Sequence, residues 1–376
     1  MNRAILFLTG LVAGFALAWG IVSSKKPPSP ASFKPAVVQP ASATPAVPSP
    51  PPPAATPPAA APAETAAVEG APPADAAARS EDTRPRKASE LDPRFVTFVG
   101  YNLRNYLKME RQGKGGLLPD QPKPEREIRA LVEMVADIKP DILGVCEIGT
   151  REDLADLQQR LAGGGVNLPV AEWVDSADEH RNLALLSRFP IVERHHRTDL
   201  TYQLAGTVLP FGRGILDATV EPAPGYRLRL VGTHLKSKRD VEEGDQEEMR
   251  RNEAHLLRQH IDGILGADPR TNLLVYGDLN DIKNTASIQE VKGEKGSANA
   301  LLDLYLRDRY GYTWTHFWSA GDQYSRFDFA LVSKGLLPEI QKRDCYIHTA
   351  PEWMAASDHR PLVVRLLPEE SQAARR

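Results

Sequence analysis

The sequence predicts an α/β fold, in which sheets are stacked on one another and helices lie outside them in one folded domain. Strand-like segments outnumber helix-like segments, and both kinds occur along the whole of the folded part. Several strands are apolar along nearly all of their length, as expected for strands that are covered on both faces. Sheets of this kind bury their faces against each other and against helices.

The predicted helices and strands follow one another between residues 95 and 366. Apolar residues recur on one face of the segments 125–138 and 246–265, which predicts two helices. A third helix, 151–161, is followed closely by three consecutive glycines that end it. The predicted strands are 95–99, 141–146, 183–187, 215–220, 228–233, 273–277, 327–333 and 362–366.

Residues 1–26 contain a membrane signal. Residues 4–22 are uncharged and mostly apolar, and basic residues flank them on both sides. About 19 such residues can just cross a bilayer as a helix. Two interpretations stay open. We favour a single-pass anchor in a bacterial inner membrane, with the folded domain facing the periplasm. The alternative is a signal peptide, because residues 16–18 resemble a cleavage site, and the protein would then be secreted.

Residues 27–90 are rich in proline and alanine, and we expect them to be a disordered linker. The chain has 32 prolines, and about half of them lie between Pro27 and Pro73. This segment has few large apolar side chains with which to offset the entropy of ordering. The sequence therefore predicts a folded domain at 91–368, a disordered tail at 369–376, and a monomer. The formal net charge of −3 gives no overall attraction to polyanions, so any such attraction must be local.

Five short polar motifs stand at the ends of predicted strands. They are Gly-Tyr-Asn-Leu at 100–103, Val-Cys-Glu at 145–147, Thr-His-Leu at 233–235, Gly-Asp-Leu-Asn at 277–280 and Ser-Asp-His-Arg-Pro at 357–361. Oxygen ligands from several strand ends, together with two histidines, can build a divalent-metal site that hydrolyses phosphate esters. Cys146 lies inside one of the apolar runs, and we interpret it as a core residue.

The two C-terminal motifs offer the most varied chemistry. Asp278 and Asn280 lie two residues apart, so in extended geometry both side chains would point the same way and could bind metal, water or phosphate. The same residues also suit a turn. In the last motif, Asp358 can bind a metal, and His359 can donate to a phosphoryl oxygen or transfer a proton.

The remaining candidates complete a site around these groups. Asp328 lies in an apolar strand, where a buried carboxylate needs a partner. A hydrogen bond to His359 would fix the tautomer of that histidine, and an ion pair with Arg326 is the alternative. The other candidates are Glu147 as a metal ligand, Asn102 as a ligand to the same metal or to phosphate, His234 as a stabiliser of charge on phosphorus, and Arg213 as a phosphate clamp.

In this order the motifs resemble those of the endonuclease/exonuclease/phosphatase superfamily, which includes DNase I-like nucleases, exonuclease III-like repair enzymes, inositol-polyphosphate 5-phosphatases and neutral sphingomyelinases. The resemblance extends from about residue 95 to 366. It implies a DNase I-like, four-layer α/β/β/α sandwich of two mixed sheets, and Mg²⁺ or Mn²⁺ as cofactor. Water activated by Asp278, or through His359, would attack phosphorus in line.

The resemblance also assigns roles to the candidate residues. The implied metal ligands are Asn102, Glu147 and Asp358; the implied catalytic residues are His234, Asp278, Asn280, Asp328 and His359; and the implied phosphate-binding residues are Arg213, Asn280 and His234. One position departs from the pattern of DNase I-like members, in which a glutamate pairs with the first catalytic histidine. Here the corresponding segment, 180–183, reads His-Arg-Asn-Leu, and Glu179 is the nearest acidic candidate.

We predict a membrane-tethered or exported nuclease that hydrolyses phosphodiester bonds. The alternative is a phosphatase or sphingomyelinase-like phosphodiesterase acting on inositol phosphates or lipid head groups. A non-catalytic binding module would have lost a residue of the catalytic motifs. All of these residues are present: Glu147, Asp278, Asn280, Asp358 and His359. The basic segment 236–239 could bind a polyanion or be a solvated surface. Aromatic and imidazole side chains that could line the pocket, or belong to the core, are Trp314, His316, Trp318 and Tyr324.

Overall fold

The computed structural model describes residues 92–113 and 115–370. The predicted anchor or signal peptide at 1–26, the linker at 27–90 and most of the tail at 369–376 lie outside these residues and stay predictions. Among residues 92–113 and 115–370, no helix is long and apolar enough to cross a membrane.

The first large sheet holds the two ends of the described chain. Its strands are β1 (Val96–Tyr106), β4 (Ile142–Ile148), β5 (Val170–Val174), β6 (Asn182–Ser187), β17 (Tyr346–Ile347) and β18 (Leu362–Leu366). They are ordered β17-β18-β1-β4-β6-β5. The central strands β1 and β4 run parallel, and the other neighbours run antiparallel.

The second large sheet repeats this pattern. Its strands are β7 (Ile191–Arg194), β10 (Ile215–Ala223), β11 (Tyr226–His234), β12 (Leu273–Asp278), β13 (Leu302–Asp303) and β16 (Asp328–Val332). They are ordered β13-β16-β12-β11-β10-β7. Again the central pair, β11 and β12, runs parallel between antiparallel neighbours.

The sheets pack face to face, and helices cover their outer faces. The helices are α1 (Glu125–Ile138), α2 (Arg151–Gly163), α3 (Gln246–Ala267), α4 (Ala286–Lys292) and α5 (Trp353–Ala356). Side chains alternate along each strand, so Phe98 enters the core between the sheets while Val99 enters the core beneath α1 and α2. A third core joins α3 and α4 to the second sheet. This arrangement confirms the predicted α/β/β/α sandwich.

Tyr276 on β12 crosses the space between the sheets. Its ring packs edge-on against Phe98 at a centroid distance of 4.7 Å. It also lies over Gly144 and Gly232, where an added Cβ atom would overlap the ring. These glycines therefore allow the parallel pairs of the two sheets to approach each other, which brings their strand ends together.

The structure adds elements that the sequence patterns did not predict. They include β5, α4 and the hairpins β2 (Met109–Gly113)/β3 (Gly116–Gln121), β8 (Thr201–Leu204)/β9 (Thr207–Pro210) and β14 (His316–Trp318)/β15 (Gln323–Ser325). The predicted strand 95–99 also continues to Tyr106, through a polar segment in which Arg104 and Asn105 have positive φ angles. The added elements are at most seven residues long, which is too short for a clear periodic signal in the sequence.

Candidate active site

The parallel strand pairs bring four polar side chains to one edge of the sandwich. Asn102 lies on β1, Glu147 on β4, His234 at the end of β11 and Asp278 at the end of β12. Carboxyl ends of parallel strands lie at the same edge of a sheet, where α/β proteins commonly bind ligands. The Nδ2 atom of Asn102 donates to Glu147 Oε1 at 3.2 Å and, across the two sheets, to Asp278 Oδ2 at 3.0 Å.

Local backbone irregularities aim these groups inward. The pairing of β1 with β4 shifts register after Asn102, and Glu147 itself has a φ of 62°. Such bulges commonly redirect side chains next to active sites. The carboxylate of Glu147 accepts a hydrogen bond from the backbone N–H of Asn105 at 2.9 Å. The Nε2 atom of His234 lies 3.6 Å from Asp278 Oδ2 and 3.9 Å from Glu147 Oε1.

His359 joins this group together with the predicted carboxylate partner. Its Nδ1 atom forms a hydrogen bond with Asp328 Oδ2 at 2.8 Å, and its Nε2 atom lies 3.5 Å from Asp278 Oδ2. The alternative ion pair between Arg326 and Asp328 does not form, because Arg326 instead binds both oxygens of Asp303.

Hydrogen bonds anchor the segment that carries His359. The hydroxyl of Ser357 donates to the carbonyl of Asn102 at 2.9 Å and accepts from the backbone N–H of His359 at 3.1 Å. The hydroxyl of Thr315 accepts from the backbone N–H of Asp328 at 3.0 Å. These contacts fix the His359–Asp328 pair relative to β1.

The carboxylates and His359 strongly affect each other's protonation. Burial raises the pKa of Asp278 to about 7; His359 acts against this shift, and the charges of Asp328 and Glu147 add to it. Burial lowers the pKa of His359, but Asp328 and Asp278 outweigh burial and raise it well above its usual range. The imidazole of His359 is therefore held as a cation between two carboxylates.

His234 has the opposite surroundings. Burial lowers its pKa well below the usual range, and the positive charges of Arg213, His359, Arg181 and Lys236 lower it further. Its Nδ1 atom is buried without a hydrogen-bond partner among the described residues. Glu179 is exposed to solvent and does not supply this partner. The lowered pKa of His234 favours its neutral imidazole.

Asn280 lies in a turn, which is one of the two conformations that its motif left open. Its φ is 51°, its backbone N–H donates to Asp278 Oδ1 at 2.9 Å, and its side-chain amide donates to the carbonyl of Leu235 at 3.0 Å. The Gly-Asp-Leu-Asn motif thus forms a turn that holds Asp278. The turn interpretation and the site interpretation of this motif are compatible.

Two predicted residues lie at the rim. The Nε atom of Arg213 is 3.0 Å from Asp178 Oδ2, beside the His234 end of the site. Asp358, predicted as a metal ligand, has one carboxylate oxygen 3.6 Å from Arg104 Nε and is about one-third exposed, with a relative side-chain area of 35%. In this arrangement Asp358 forms an ion pair with Arg104. Its role as a ligand to the same metal as Glu147 stays a prediction.

With this geometry the comparison with known proteins is direct. The model of the Endonuclease/Exonuclease/phosphatase family matches residues 101–359. The chain belongs to this family. Its members are metal-dependent phosphoester hydrolases, so the predicted enzyme class is confirmed.

Solved structures of this family share the fold. An endonuclease/exonuclease/phosphatase from Bacteroides vulgatus is 19% identical, with a TM-score of 0.51, over 74% of this chain and 99% of that chain. A family protein from Leptotrichia buccalis is 15% identical, with a TM-score of 0.51, over 72% of this chain and 99% of that chain. Both confirm the predicted DNase I-like sandwich. No curated protein matches the sequence.

The site fits the divalent cation that this family uses. Among the described residues, Glu147 and Asp278 have no lysine or arginine as an ion-pair partner. A carboxylate that is withdrawn from water without such a partner needs a compensating positive charge. No three carboxylate, imidazole or thiol groups within residues 92–370 form a cation site by themselves. A bound ion would therefore also use the amide oxygen of Asn102, Oδ1, which here accepts a hydrogen bond from the backbone N–H of Arg104 at 2.9 Å.

Sequence reasoning missed several residues of the site. Arg104, Asn105 and Arg181 lie beside it, and the sequence offered no signal because each occurs in an irregular polar segment. His316, named among the aromatic candidates, contacts the site: its ring lies 4.6 Å from that of His359. Trp314 instead packs beneath Arg360, while Trp318 and Tyr324 are exposed.

Proposed function

We propose that this family member is a divalent-metal-dependent phosphodiester hydrolase that acts as a nuclease. The observation that carries the proposal is the convergence of Asn102, Glu147, His234 and Asp278 beside the His359–Asp328 pair. Carboxylates, a protonated imidazole and a neutral imidazole at one strand edge are the groups needed for in-line attack of water on phosphorus.

Each residue of the active site has its own role in the proposed hydrolysis. Asp278 lies within 3.6 Å of both histidines and accepts the proton of the attacking water. His359, whose Nδ1 is held by Asp328, donates from Nε2 to a phosphoryl oxygen. His234 faces the developing negative charge from the other side, with Arg213 beside it at the rim, and Asn280 holds Asp278 through its backbone N–H.

Glu147 and Asn102 are the residues that would hold Mg²⁺ or Mn²⁺, with Asp358 as the predicted third ligand. A divalent cation bound there neutralises charge on the phosphate group. This assignment is supported by the lack of a lysine or arginine partner for Glu147 among the described residues.

The rim supports a nucleic acid as the substrate. Arg104 lies on the Asp358 side of the site, and Arg213 and Lys236 lie on the His234 side. Positive charges on both sides suit a strand whose phosphates continue past the bond that is cleaved. Trp318 and Tyr324 add exposed rings on which bases can stack.

The test offers four substrates side by side to the full-length protein in detergent: plasmid DNA, RNA, bis-p-nitrophenyl phosphate and p-nitrophenyl phosphate. Each is incubated with EDTA, Mg²⁺ or Mn²⁺. We expect metal-dependent cleavage of nucleic acid and of the diester. Release from the monoester alone would contradict the proposal and indicate a phosphatase instead.

We also propose that residues 1–26 tether or export the domain and that 27–90 are a spacer. Deleting residues 1–84 should then leave kcat/KM within about twofold and release the enzyme from membranes, since that segment lacks the side chains of a core. An insoluble or inactive truncated protein would contradict the spacer interpretation.

A further inference from the structure

Two arginines lie at the same edge as the active site, one strand further along each sheet. Arg181 precedes β6, whose first residue, Asn182, pairs with Ile148 at the end of β4. Arg213 precedes β10, whose first residue, Ile215, pairs with Thr233 at the end of β11. Both arginines therefore continue the row of side chains that begins with the catalytic groups, at the end opposite His359.

Asp178 holds the two arginines together. Its Oδ1 atom accepts hydrogen bonds from the backbone N–H groups of His180 and Arg181, both at 3.1 Å. Its Oδ2 atom is the ion-pair partner of Arg213 Nε. The backbone N–H of Asp178 also donates to the carbonyl of Gly212 at 2.7 Å. One carboxylate thus binds the backbone of Arg181 and the guanidinium of Arg213, so its single negative charge leaves an excess of positive charge on the two arginines.

Arg181 is also connected to the proposed metal ligand. Its Nε atom donates to Asn105 Oδ1 at 2.9 Å, and the backbone N–H of Asn105 donates to Glu147 Oε2. Within the part of the chain that the structure describes, no carboxylate forms an ion pair with Arg181, and its terminal nitrogens have no protein acceptor. The guanidinium is therefore placed beside the catalytic centre with its terminal N–H groups free.

Arginines with structural roles in this protein look different. Arg229 binds both oxygens of Asp217, at 2.8 and 2.6 Å, and Arg258 binds both oxygens of Asp262, at 3.0 and 2.8 Å. Each guanidinium of this kind uses two nitrogens on one carboxylate, which is its best geometry. Arg181 uses a single nitrogen on a neutral amide, so most of its binding capacity is left for another anion.

We propose that Arg181 and Arg213 form a second phosphate subsite, which binds a phosphate group next to the one that is cleaved. The inference rests on the proposed function and adds the substrate class: a molecule with two neighbouring phosphates. Adjacent strands are about 5 Å apart, so the subsite lies one such step along the edge from Glu147 and His234. A guanidinium pair matches phosphate oxygens in shape and charge.

The experiment measures kcat/KM of the full-length protein with Mg²⁺ for the dinucleotide TpT and its 5′-phosphorylated form pTpT. The wild type should prefer pTpT. Arg181→Ala should lower the pTpT-to-TpT ratio about tenfold to a hundredfold, which is the range for one lost charge-assisted hydrogen bond. Arg181→Lys should keep part of the preference, because it keeps the charge without the paired donors.

Arg188→Ala is the matched control. Arg188 follows the other end of β6, is exposed and pairs with Asp141, so this variant removes the same charge away from the edge. The ratio should stay that of the wild type. An equal change in Arg188→Ala, or an equal loss on both substrates in Arg181→Ala, would overturn the subsite, because the first indicates bulk charge and the second an effect through Asn105 on Glu147.

A second substrate pair separates the sources of the extra phosphate. Inositol 4-phosphate and inositol 4,5-bisphosphate, whose phosphates stand on adjacent ring carbons, replace the dinucleotides, and a preference confined to this pair supports the subsite with a small head group as its ligand. If the wild type hydrolyses none of these compounds, the proposed function fails. Equilibrium binding of pTpT and TpT in EDTA then decides alone: a preference lost in Arg181→Ala supports the subsite, and no preference overturns it.

Discussion

Two aspartates are buried in the same sheet and have opposite surroundings. Asp217 on β10 is fully buried, at 0% exposure, and Asp278 on β12 is 2% exposed. Asp217 binds Arg229 through both carboxylate oxygens and His260 at 2.7 Å. Asp278 instead faces the amide of Asn102 and two histidines at 3.5 to 3.6 Å.

The pKa values of these aspartates shift in opposite directions. Burial raises the pKa of both carboxyl groups, but the bonds from His260 and Arg229 outweigh burial and lower the pKa of Asp217 below its usual range. For Asp278, His359 does not offset burial and the neighbouring carboxylates. A buried carboxylate with close charged partners stabilises the fold, whereas one left with weaker partners marks a place where substrate or cation completes the site.

The largest expected effect comes from removing the charge of Asp278. Asp278→Asn should lower kcat/KM for bis-p-nitrophenyl phosphate about 10³-fold, because the acceptor of the water's proton is lost. The free energy of unfolding should be unchanged or higher, since the cost of burying the charge of Asp278, which raises its pKa, is removed. Rate assays and urea unfolding measure the two quantities. If Asp278→Asn kept substantial turnover, or if its free energy of unfolding fell clearly, Asp278 would be a structural residue like Asp217.

Asp217→Ala should show the reverse. Removing one partner of a buried ion pair leaves Arg229 and His260 uncompensated, so the free energy of unfolding should fall by about 3–5 kcal/mol. Because the side chain of Asp217 contacts Arg229 and His260 and no residue of the active site, kcat per folded molecule should match the wild type. A urea midpoint equal to that of the wild type would contradict this structural role.

Stabilisation by a divalent metal should depend on the active-site carboxylates and not on Asp217. Mg²⁺ or Mn²⁺ at a hundredfold excess over its dissociation constant should stabilise the wild type by about 2.7 kcal/mol, because it binds the folded state. Differential scanning calorimetry should show the corresponding rise in Tm for the wild type and for Asp217→Asn. Glu147→Gln should lose most of this metal-dependent rise in Tm. An equal rise in Glu147→Gln would place the ion elsewhere.

The smallest effect is a dependence of stability on pH. Since the folded-state pKa of Asp217 is lowered, its contribution is present above the unfolded value of about 3.9 and is lost as pH falls through the folded-state pKa. The contribution is about 1.4 kcal/mol for each unit of difference. The stability gap between wild type and Asp217→Asn should therefore narrow between pH 5 and pH 2 in urea titrations. A constant gap would show that the charge of Asp217 contributes nothing.

The sequence predicted the catalytic motifs better than their surroundings. Asp278 and His359 follow or precede apolar strands, so periodicity and turn chemistry locate them together with their strands. The hydrogen bond between Asp328 and His359 was predictable because a buried carboxylate needs a partner. The sequence left Asn280 either extended or in a turn, and the structure shows the turn, in which the backbone N–H of Asn280 bonds Asp278.

Long-range pairing explains what could not be predicted. Arg326 pairs with Asp303, and Arg229 with His260 around Asp217, although these partners are separated by many residues. Their side chains carry no periodic signal, because tertiary contacts alone bring them together. The lack of a hydrogen-bond partner for His234 Nδ1 among the described residues could not be predicted either, because it depends on which side chains the fold brings near that atom.

The first and last strands of the domain are direct neighbours: Val96 on β1 pairs with Leu366 on β18, and Gly100 with Leu362. His359, just before β18, can therefore reach Asp328 and Asp278 when nearly the whole domain has left the ribosome. At the usual pace of synthesis this takes roughly ten seconds to a minute. During that time a nascent chain has no complete catalytic group, so the phosphoester hydrolase becomes active only when nearly all of its domain has been made.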